Sequence, residues 1–316
     1  MNKIFLCLLT LSAVGVFMML IMNNIDYSVH TSGQKCLPSC SSRENHQHYT
    51  TSDEMRYILY GDGTEFSVYD PRLLDFIRTH ITQPSPTRPR RLTKPLKIDA
   101  SQMHQSPFVD KLLSRRRDGF FIECGAADGE SFSNSLFFER VRNWTGLLIE
   151  ANPGYYRQLL NKNRRAYVLG SCLSTELRPM TVRMQPAGLL GGITNMMPKS
   201  HSNRIIRRPE VAIVCFPLNS IMAALNVSCV DYLSLDVEGP ELEILHTIDW
   251  SRLRIDVITV EYRILGNSKH GINVTATLSK LRSLREFFKK THLYREVAVL
   301  PHGDDALGLD VAFSRI

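Results

Sequence analysis

Acidic residues and glycines follow the strand-like run FFIEC. The run leads from Glu123 into a loop with Gly125 and Gly129. Glycine lets the backbone approach a ligand closely in the loop after the first strand of a doubly wound sheet. The spacing is acidic-x-Gly-x-x-x-Gly and differs from the Gly-x-Gly-x-x-Gly that cradles a pyrophosphate. Asp128 and Glu130 would repel phosphates, so this loop predicts a ligand with a cationic sulfonium and an amino group.

A second acidic tip lies 27 residues further on, where the run GLLIE ends in Glu150. A carboxylate at the tip of the second strand is placed to bind the hydroxyls of a nucleoside ribose. The next residues, Asn152 and Pro153, indicate a turn and a helix start. The structural alternative is a glycine turn with a capping glutamate. The candidate cofactor-binding residues are Glu123, Gly125, Asp128, Gly129, Glu150 and Asn152.

A third acidic cluster follows the run DYLSLD. Asp236 and Glu238 end this run, and Glu261 ends the next one, ITVE. Carboxylates there can bind a metal or act as general base on a substrate hydroxyl. Helix N-terminal charges would alone explain Glu241 and Glu243. We take Asp236, Glu238 and Glu261 as catalytic candidates and expect no metal site.

Short β-rich runs alternate with helical segments from about residue 98 onward. This alternation predicts a parallel sheet with crossover helices. The predicted strands are 120–124, 146–150, 166–171, 211–216, 231–236, 255–261, 296–300 and 309–313. The predicted helices are SFSNSLFFERVR, PGYYRQLLNKN, LNSIMAALN, PELEILHTI and TATLSKLRSLREFFKKT. Residues 98–316 are therefore expected to form one three-layer α/β domain.

An uninterrupted apolar run covers residues 4–22, behind Lys3. It is just long enough to span a hydrocarbon core of about 30 Å. The positive-inside rule puts residues 1–3 in the cytosol and the rest of the chain in the lumen or outside the cell. A cleaved signal peptide is the alternative, because Ala13 and Gly15 form a small-x-small pair. Both interpretations place the domain in the secretory pathway.

Residues 23–97 are expected to form a stem and a linker. The stem is polar to about Thr51, and Pro71 begins a short predicted helix through LLDFIRTHI. The segment QPSPTRPRRLTKP then predicts an extended basic linker. The net charge of the chain is +7, with arginine clusters that suit acidic glycans, membrane headgroups, acidic protein segments or plain solvent. No nucleic-acid partner is expected in this compartment.

Cysteines and glycosylation sequons fit that compartment. Of seven cysteines, six lie after the apolar run and allow fifteen pairings. Cys172 and Cys215 are the favoured buried pair because each lies at or near the end of a strand-like run. Their spacing to histidines does not indicate a zinc site. The glycosylation candidates are Asn143, Asn226 and Asn273.

The segments FFIECGAADGE, LLIEANP and LSLDVEGPELEIL resemble the FkbM-type methyltransferase domain over roughly residues 100–316. The runs SQMHQSPFVDKLL and SFSNSLFFE make the chain similar to the Star-like proteins of invertebrates. This resemblance implies a class I methyltransferase-like fold, doubly wound and mostly parallel, that binds S-adenosyl-L-methionine. It also implies a single-pass membrane protein of the endoplasmic reticulum or Golgi, with the endosome or plasma membrane as further locations.

The resemblance implies roles for individual residues. Glu123, Gly125 and Gly129 would line the methionine end of the cofactor, and Glu150 would hold its ribose. Asp236 and Glu238 would face the acceptor.

Three functions compete at this point. The first is luminal O-methyl transfer to a hydroxyl acceptor such as a glycan. The second is non-catalytic support for transport of membrane-tethered growth factor precursors as cargo. The third is a metal-dependent Golgi glycosyltransferase, because Asp236-Val-Glu238 mimics an Asp-x-Asp element, although the acidic first loop disfavours a diphosphate.

Overall fold

The computed structural model describes residues 67–93, 98–203, 205, 208–267, 271–302 and 305–316. The predicted membrane segment at 4–22 and the first part of the stem lie outside these residues. Within them, none of the helices combines the length and the apolar character that crossing a bilayer requires.

The described residues form two sheets and the helices around them. The helices are α1 (Pro71–His80), α2 (Gln105–Leu112), α3 (Leu136–Val141), α4 (Pro153–Lys162), α5 (Lys199–Ser202), α6 (Leu218–Ala224), α7 (Glu241–His246) and α8 (Val274–Thr291). The strands are β1 (Ile81–Thr82), β2 (Phe120–Cys124), β3 (Thr145–Ile149), β4 (Tyr167–Leu169), β5 (Cys172–Leu173), β6 (Met180–Gln185), β7 (Gly192–Ile193), β8 (Val211–Phe216), β9 (Cys229–Leu235), β10 (Arg254–Glu261), β11 (Tyr294–His302) and β12 (Asp305–Arg315).

The main sheet has eight strands in the order β1-β4-β3-β2-β9-β10-β12-β11. Strands β4, β3, β2, β9 and β10 pair in parallel, whereas β12 is antiparallel to both of its neighbours. The expected doubly wound α/β sheet is therefore present as a mixed sheet. The chain reverses its direction of travel across the sheet at β2, because β3 lies on one side of it and β9 on the other.

Side chains of successive strand residues pack into two different cores, as the period of two requires. Ile122 belongs to the larger core, which includes residues of α1, α6, α7 and α8. Phe121 belongs to the smaller core with α2, α3 and α4. Helices therefore cover both faces of the sheet. All residues of β2 are buried, which explains its continuous apolar run.

Part of the predicted stem and linker is built into the domain. Helix α1 buries Leu73, Phe76 and Ile77 in the larger core, and β1 pairs with β4. The basic segment that follows is also attached to the domain, because Nε of Arg90 forms an ion pair with Oε1 of Glu139 at 2.5 Å. We expected an extended linker because prolines and arginines dominate this segment. Buried acidic partners on the domain, which the local sequence does not reveal, hold it in place.

The predicted strand 211–216 lies in a second sheet rather than in the main one. This sheet has the order β5-β8-β6-β7, and β8 pairs antiparallel with β6. We missed β6 because its sequence MTVRMQ has a mixed buried and exposed pattern without a long apolar run. The predicted helix at 131–142 is also shorter, beginning at Leu136. The residues before it hydrogen-bond to Glu123 instead of continuing the helix.

Candidate functional site

A cavity of about 530 Å³ opens at the carboxyl ends of β2, β3, β9 and β10. It lies at the point where the chain reverses direction across the sheet, which is where open α/β sheets bind their ligands. Its wall contains five acidic side chains and one basic side chain, Arg263. The acidic ones are Glu123, Glu150, Asp236, Glu238 and Glu261. The cavity is thus suited to a ligand that carries positive charge.

The glycines of the first loop allow close packing within the protein. Gly125 has φ +82°, and a Cβ there would lie 1.8 Å from the carbonyl oxygen of Asp236. A Cβ on Gly129 would lie 2.3 Å from Cδ1 of Leu159. Gly125 also lines the cavity, whereas Gly129 packs behind the cavity wall. The expected approach of backbone to ligand therefore applies to Gly125 alone.

Asp128 stabilises the turn of this loop. Its carboxylate accepts hydrogen bonds from the backbone N–H groups of Glu130 at 2.9 Å and Ser131 at 2.7 Å. Its neighbour Glu130 pairs with Lys162 at 2.5 Å and accepts from the N–H of Thr93. Both carboxylates are thus engaged by the protein. Asp128 does not line the cavity, and its contact with the cofactor stays a prediction.

Glu123 is a buried carboxylate held by the start of the next helix. It accepts hydrogen bonds from the Ser133 hydroxyl at 2.9 Å, the Asn134 backbone N–H at 2.7 Å and the Ser135 hydroxyl. Burial raises its pKa, while Arg164 and these hydrogen bonds lower it. Its oxygens therefore hold the loop, and because Glu123 also lines the cavity, its contact with the cofactor stays a prediction.

Glu150 lies at the tip of the second central strand, as the sequence predicts. One of its oxygens accepts a hydrogen bond from the backbone N–H of Ala127 at 2.7 Å, and the other accepts one from the backbone N–H of Asn152 at 2.6 Å. Burial raises the pKa of Glu150 to about 7. Asn152 caps α4 by accepting from the N–H of Gly154 at 2.9 Å, and it lines the cavity beside Glu150. Each Glu150 oxygen has a second lone pair, which can accept a hydrogen bond from a ligand hydroxyl.

The three catalytic candidates converge at the cavity wall. Asp236 and Glu261 directly follow the paired residues Leu235 of β9 and Val260 of β10. Burial and the neighbouring carboxylate raise the pKa of each of them well above its ordinary value. Ligand atoms of Asp236, Glu238 and Glu261 lie within 4.8 Å of one another. We expected no metal site from the sequence, yet oxygen ligands at this spacing can hold a divalent cation.

Several polar residues around this cluster were not predicted. Lys280 of α8 pairs with Glu241 at 2.6 Å, and Gln105 of α2 donates to Asp310 at 2.7 Å. Burial raises the pKa of Asp310 to about 6. Only the fold brings these helices to the sheet edge, although the polar interruption at Asp310 within an apolar run was visible in the sequence.

The second sheet supplies the opposite wall of the cavity. Cys172 of β5 and Cys215 of β8 form a disulfide across paired positions, with a sequence separation of 43. Cys172 lines the cavity together with Met184 and residues 188–193. The disulfide therefore links two strands that shape the site.

The sequon asparagines are all exposed. Asn143 and Asn226 precede β3 and β9, at the edge of the sheet opposite the cavity. Asn273 caps α8 by accepting from the N–H of Ala276 at 3.1 Å, and its neighbour Ile272 lines the cavity. Glycans on the first two would leave the cavity open.

Several solved structures are similar to this chain at low sequence identity. The FkbM methyltransferase of Methylobacillus flagellatus is 16% identical with a TM-score of 0.38, and the alignment covers 62% of this chain and 43% of that one. Fibrillarin of Aeropyrum pernix, solved with S-adenosyl-L-methionine, is 11% identical with a TM-score of 0.38 over 74% and 87% of the two chains. Human methyltransferase 10 domain containing protein is 12% identical with a TM-score of 0.35 over 77% and 97%.

The family model gives the assignment. No curated protein matches this sequence. The model of the methyltransferase FkbM domain matches residues 123–290, which is more than half of the 316-residue chain. The fold is accordingly a class I methyltransferase-like α/β fold with a mixed sheet. This chain belongs to the FkbM methyltransferase domain family.

Proposed function

We propose that this chain binds S-adenosyl-L-methionine in the cavity and transfers its methyl group to a hydroxyl acceptor. The observation that carries the proposal is the arrangement of Glu150 and the Asp236–Glu261 pair around one cavity. The volume of about 530 Å³ falls within the range of small-molecule sites. The excess of carboxylates favours a ligand with a sulfonium and an ammonium group.

Different residues of the cavity wall have different roles in the proposed methyl transfer. When bound, the cofactor supplies an electrophilic methyl group. Glu150 holds hydroxyls of its ribose, and Gly125 leaves room for it beside the first strand. The Asp236–Glu261 pair accepts the proton of the acceptor hydroxyl, because a base with a raised pKa holds a proton well near neutral pH. Glu238 faces the acceptor from the same wall.

We further propose that residues 4–22 anchor the chain in a membrane of the secretory pathway, with the domain in the lumen. The apolar run, the exposed sequons and the Cys172–Cys215 disulfide support this location. The acceptor would then be a luminal glycan or a membrane-tethered protein.

A non-catalytic, Star-like transport factor is the second candidate. The observation in its favour is that Glu123, Asp128 and Gly129 all serve the packing of the loop. Such residues would be needed for the fold even without catalysis. The metal-dependent glycosyltransferase is disfavoured by membership of a methyltransferase family.

Calorimetric binding of S-adenosylmethionine and S-adenosylhomocysteine to the full chain in detergent tests the proposal. We expect binding that Glu150→Ala weakens about ten- to a hundredfold, the loss of about 1.5 to 3 kcal/mol. Glu243→Ala is the control, because Glu243 is an exposed carboxylate of α7. A folded chain that binds neither ligand would overturn the enzyme proposal and leave the transport role.

A further inference from the structure

One buried acceptor in the cavity wall has no partner within the described structure. Asn134 is 8% exposed and lines the cavity, and its Oδ1 atom receives no hydrogen bond from the described residues. Buried side-chain acceptors without a partner are rare in folded proteins. Because Asn134 is one of the residues that line a ligand-sized cavity, a bound molecule is the natural donor.

The Asn134 side chain is held in place on two sides. Its Nδ2 atom donates to the Ser234 hydroxyl at 2.9 Å, and its backbone N–H donates to Glu123 at 2.7 Å. Ser234 and Glu123 occupy paired positions on β9 and β2. The carboxamide is thus fixed over the centre of the sheet, with its oxygen left available.

The carboxylates around Asn134 favour a positively charged ligand group as the hydrogen-bond donor to its side-chain oxygen. Ser234 lies on β9 two residues before Asp236, which directly follows the strand, so the period of two places both side chains on the same face of the sheet. Glu261 lies beside Asp236 on that face, and Glu123 lies behind the asparagine. A cationic N–H donor gains from these carboxylates, whereas a carboxylate or phosphate group would be repelled.

We propose that Oδ1 of Asn134 accepts a hydrogen bond from the ammonium group of the amino-acid part of bound S-adenosylmethionine. The inference rests on the proposed function and names the group that recognises this end of the cofactor. Glu123, which the sequence places against the methionine end, also positions Asn134 by accepting the hydrogen bond from its backbone N–H.

Two ligands that differ in the amino-acid part test the proposal. S-adenosylhomocysteine carries the ammonium group, and 5′-methylthioadenosine lacks the amino acid. We expect Asn134→Ala to weaken S-adenosylhomocysteine binding to the full chain about ten- to a hundredfold and to leave methylthioadenosine binding unchanged. Asn134→Asp keeps an acceptor oxygen and should retain the preference for S-adenosylhomocysteine.

The control is Asn219→Ala. Asn219 is a buried asparagine whose amide donates to the Thr247 carbonyl and accepts from the Asp249 N–H, so its loss affects stability alone. Equal weakening of both ligands by Asn134→Ala, or no weakening, would overturn the inference. Loss of the preference in a folded Asn134→Asp variant would do so as well, because this variant keeps an acceptor oxygen for the ammonium group. A wild-type chain that binds neither ligand refutes the proposed function itself.

Discussion

Carboxyl oxygens of Asp236 and Glu261, which follow paired positions of neighbouring parallel strands, lie within 4.8 Å of each other. Burial and the repulsion between the two carboxylates raise the pKa of each group well above its ordinary value. Asp310 extends this row, because it is paired with Glu261 on the other side of β10. Three carboxyl groups thus lie close together at one edge of the sheet. The stability of the fold therefore depends on how many of them are ionised, which the pH determines.

We expect the free energy of unfolding to fall as the pH rises from about 5 to 8. The folded state holds protons on Asp236 and Glu261 at pH values where the unfolded state has released them, because their pKa values are raised on folding. Stability from these groups is therefore complete at low pH and is lost as the pH passes their raised pKa values. Asp310, with a pKa of about 6, adds to the same trend.

Glu261→Gln tests this pH dependence, since glutamine keeps the shape of the side chain and removes its charge. Thermal melting should show the variant more stable than the wild type by roughly 1 to 3 kcal/mol at pH 8 and equal to it near pH 5. Glu176→Gln, at an exposed ion pair with Arg178, should change little at either pH. Equal stability of wild type and Glu261→Gln at pH 8 would contradict the raised pKa of Glu261.

Ligand binding should depend on the ionisation of Glu150. Ribose hydroxyls donate best to the ionised carboxylate, and burial raises the pKa of Glu150 to about 7. The affinity for S-adenosylhomocysteine should therefore rise as the pH increases through about 7. Calorimetry at pH 5.5, 7 and 8.5 checks the trend, and Glu150→Gln should flatten it. The same slope in wild type and variant would exclude Glu150 as the titrating group.

Gly125→Ala should destabilise the fold severely. The new Cβ would lie 1.8 Å from the carbonyl oxygen of Asp236, at a φ of +82° that alanine disfavours. We expect a loss of about 3 kcal/mol or more, measured by denaturant unfolding. Gly154→Ala provides the comparison, because its Cβ would meet only Oδ1 of Asn152, at 3.2 Å. Similar stability of the two variants would mean that β2 and β9 are further apart than described.

Removing the disulfide should weaken both the fold and the site. The double variant Cys172→Ser, Cys215→Ser opens a link with a sequence separation of 43, which the loop-entropy relation makes worth about 4 kcal/mol. Because Cys172 lines the cavity, S-adenosylhomocysteine binding should weaken too. Cys229→Ser, at a free cysteine, should affect neither quantity. Unchanged melting of the double variant would show that the bond does not constrain these strands.

The sequence predicted the main sheet well because its strands are buried on both faces. Continuous apolar runs such as 120–124 and 255–261 identify such strands without any knowledge of their partners. The acidic tips Glu150, Asp236 and Glu261 could also be placed, since parallel strands end at one edge of the sheet.

The remaining features depend on contacts between distant segments. Strand β6 has too weak a pattern to be recognised, and the basic segment at Arg90 is held by Glu139, 49 residues away. Nothing local in the sequence shows that the 133–135 segment hydrogen-bonds to Glu123. Asn134 was missed for the same reason, because its free oxygen is defined only by the fold.

A crystal structure of the chain with S-adenosylhomocysteine tests the central claim most directly. The account predicts the ligand in the cavity at the ends of β2, β3 and β9, with ribose hydroxyls at Glu150 and the amino group at Oδ1 of Asn134. A ligand bound outside this cavity, or a cavity left empty at a concentration that saturates binding in solution, would contradict it.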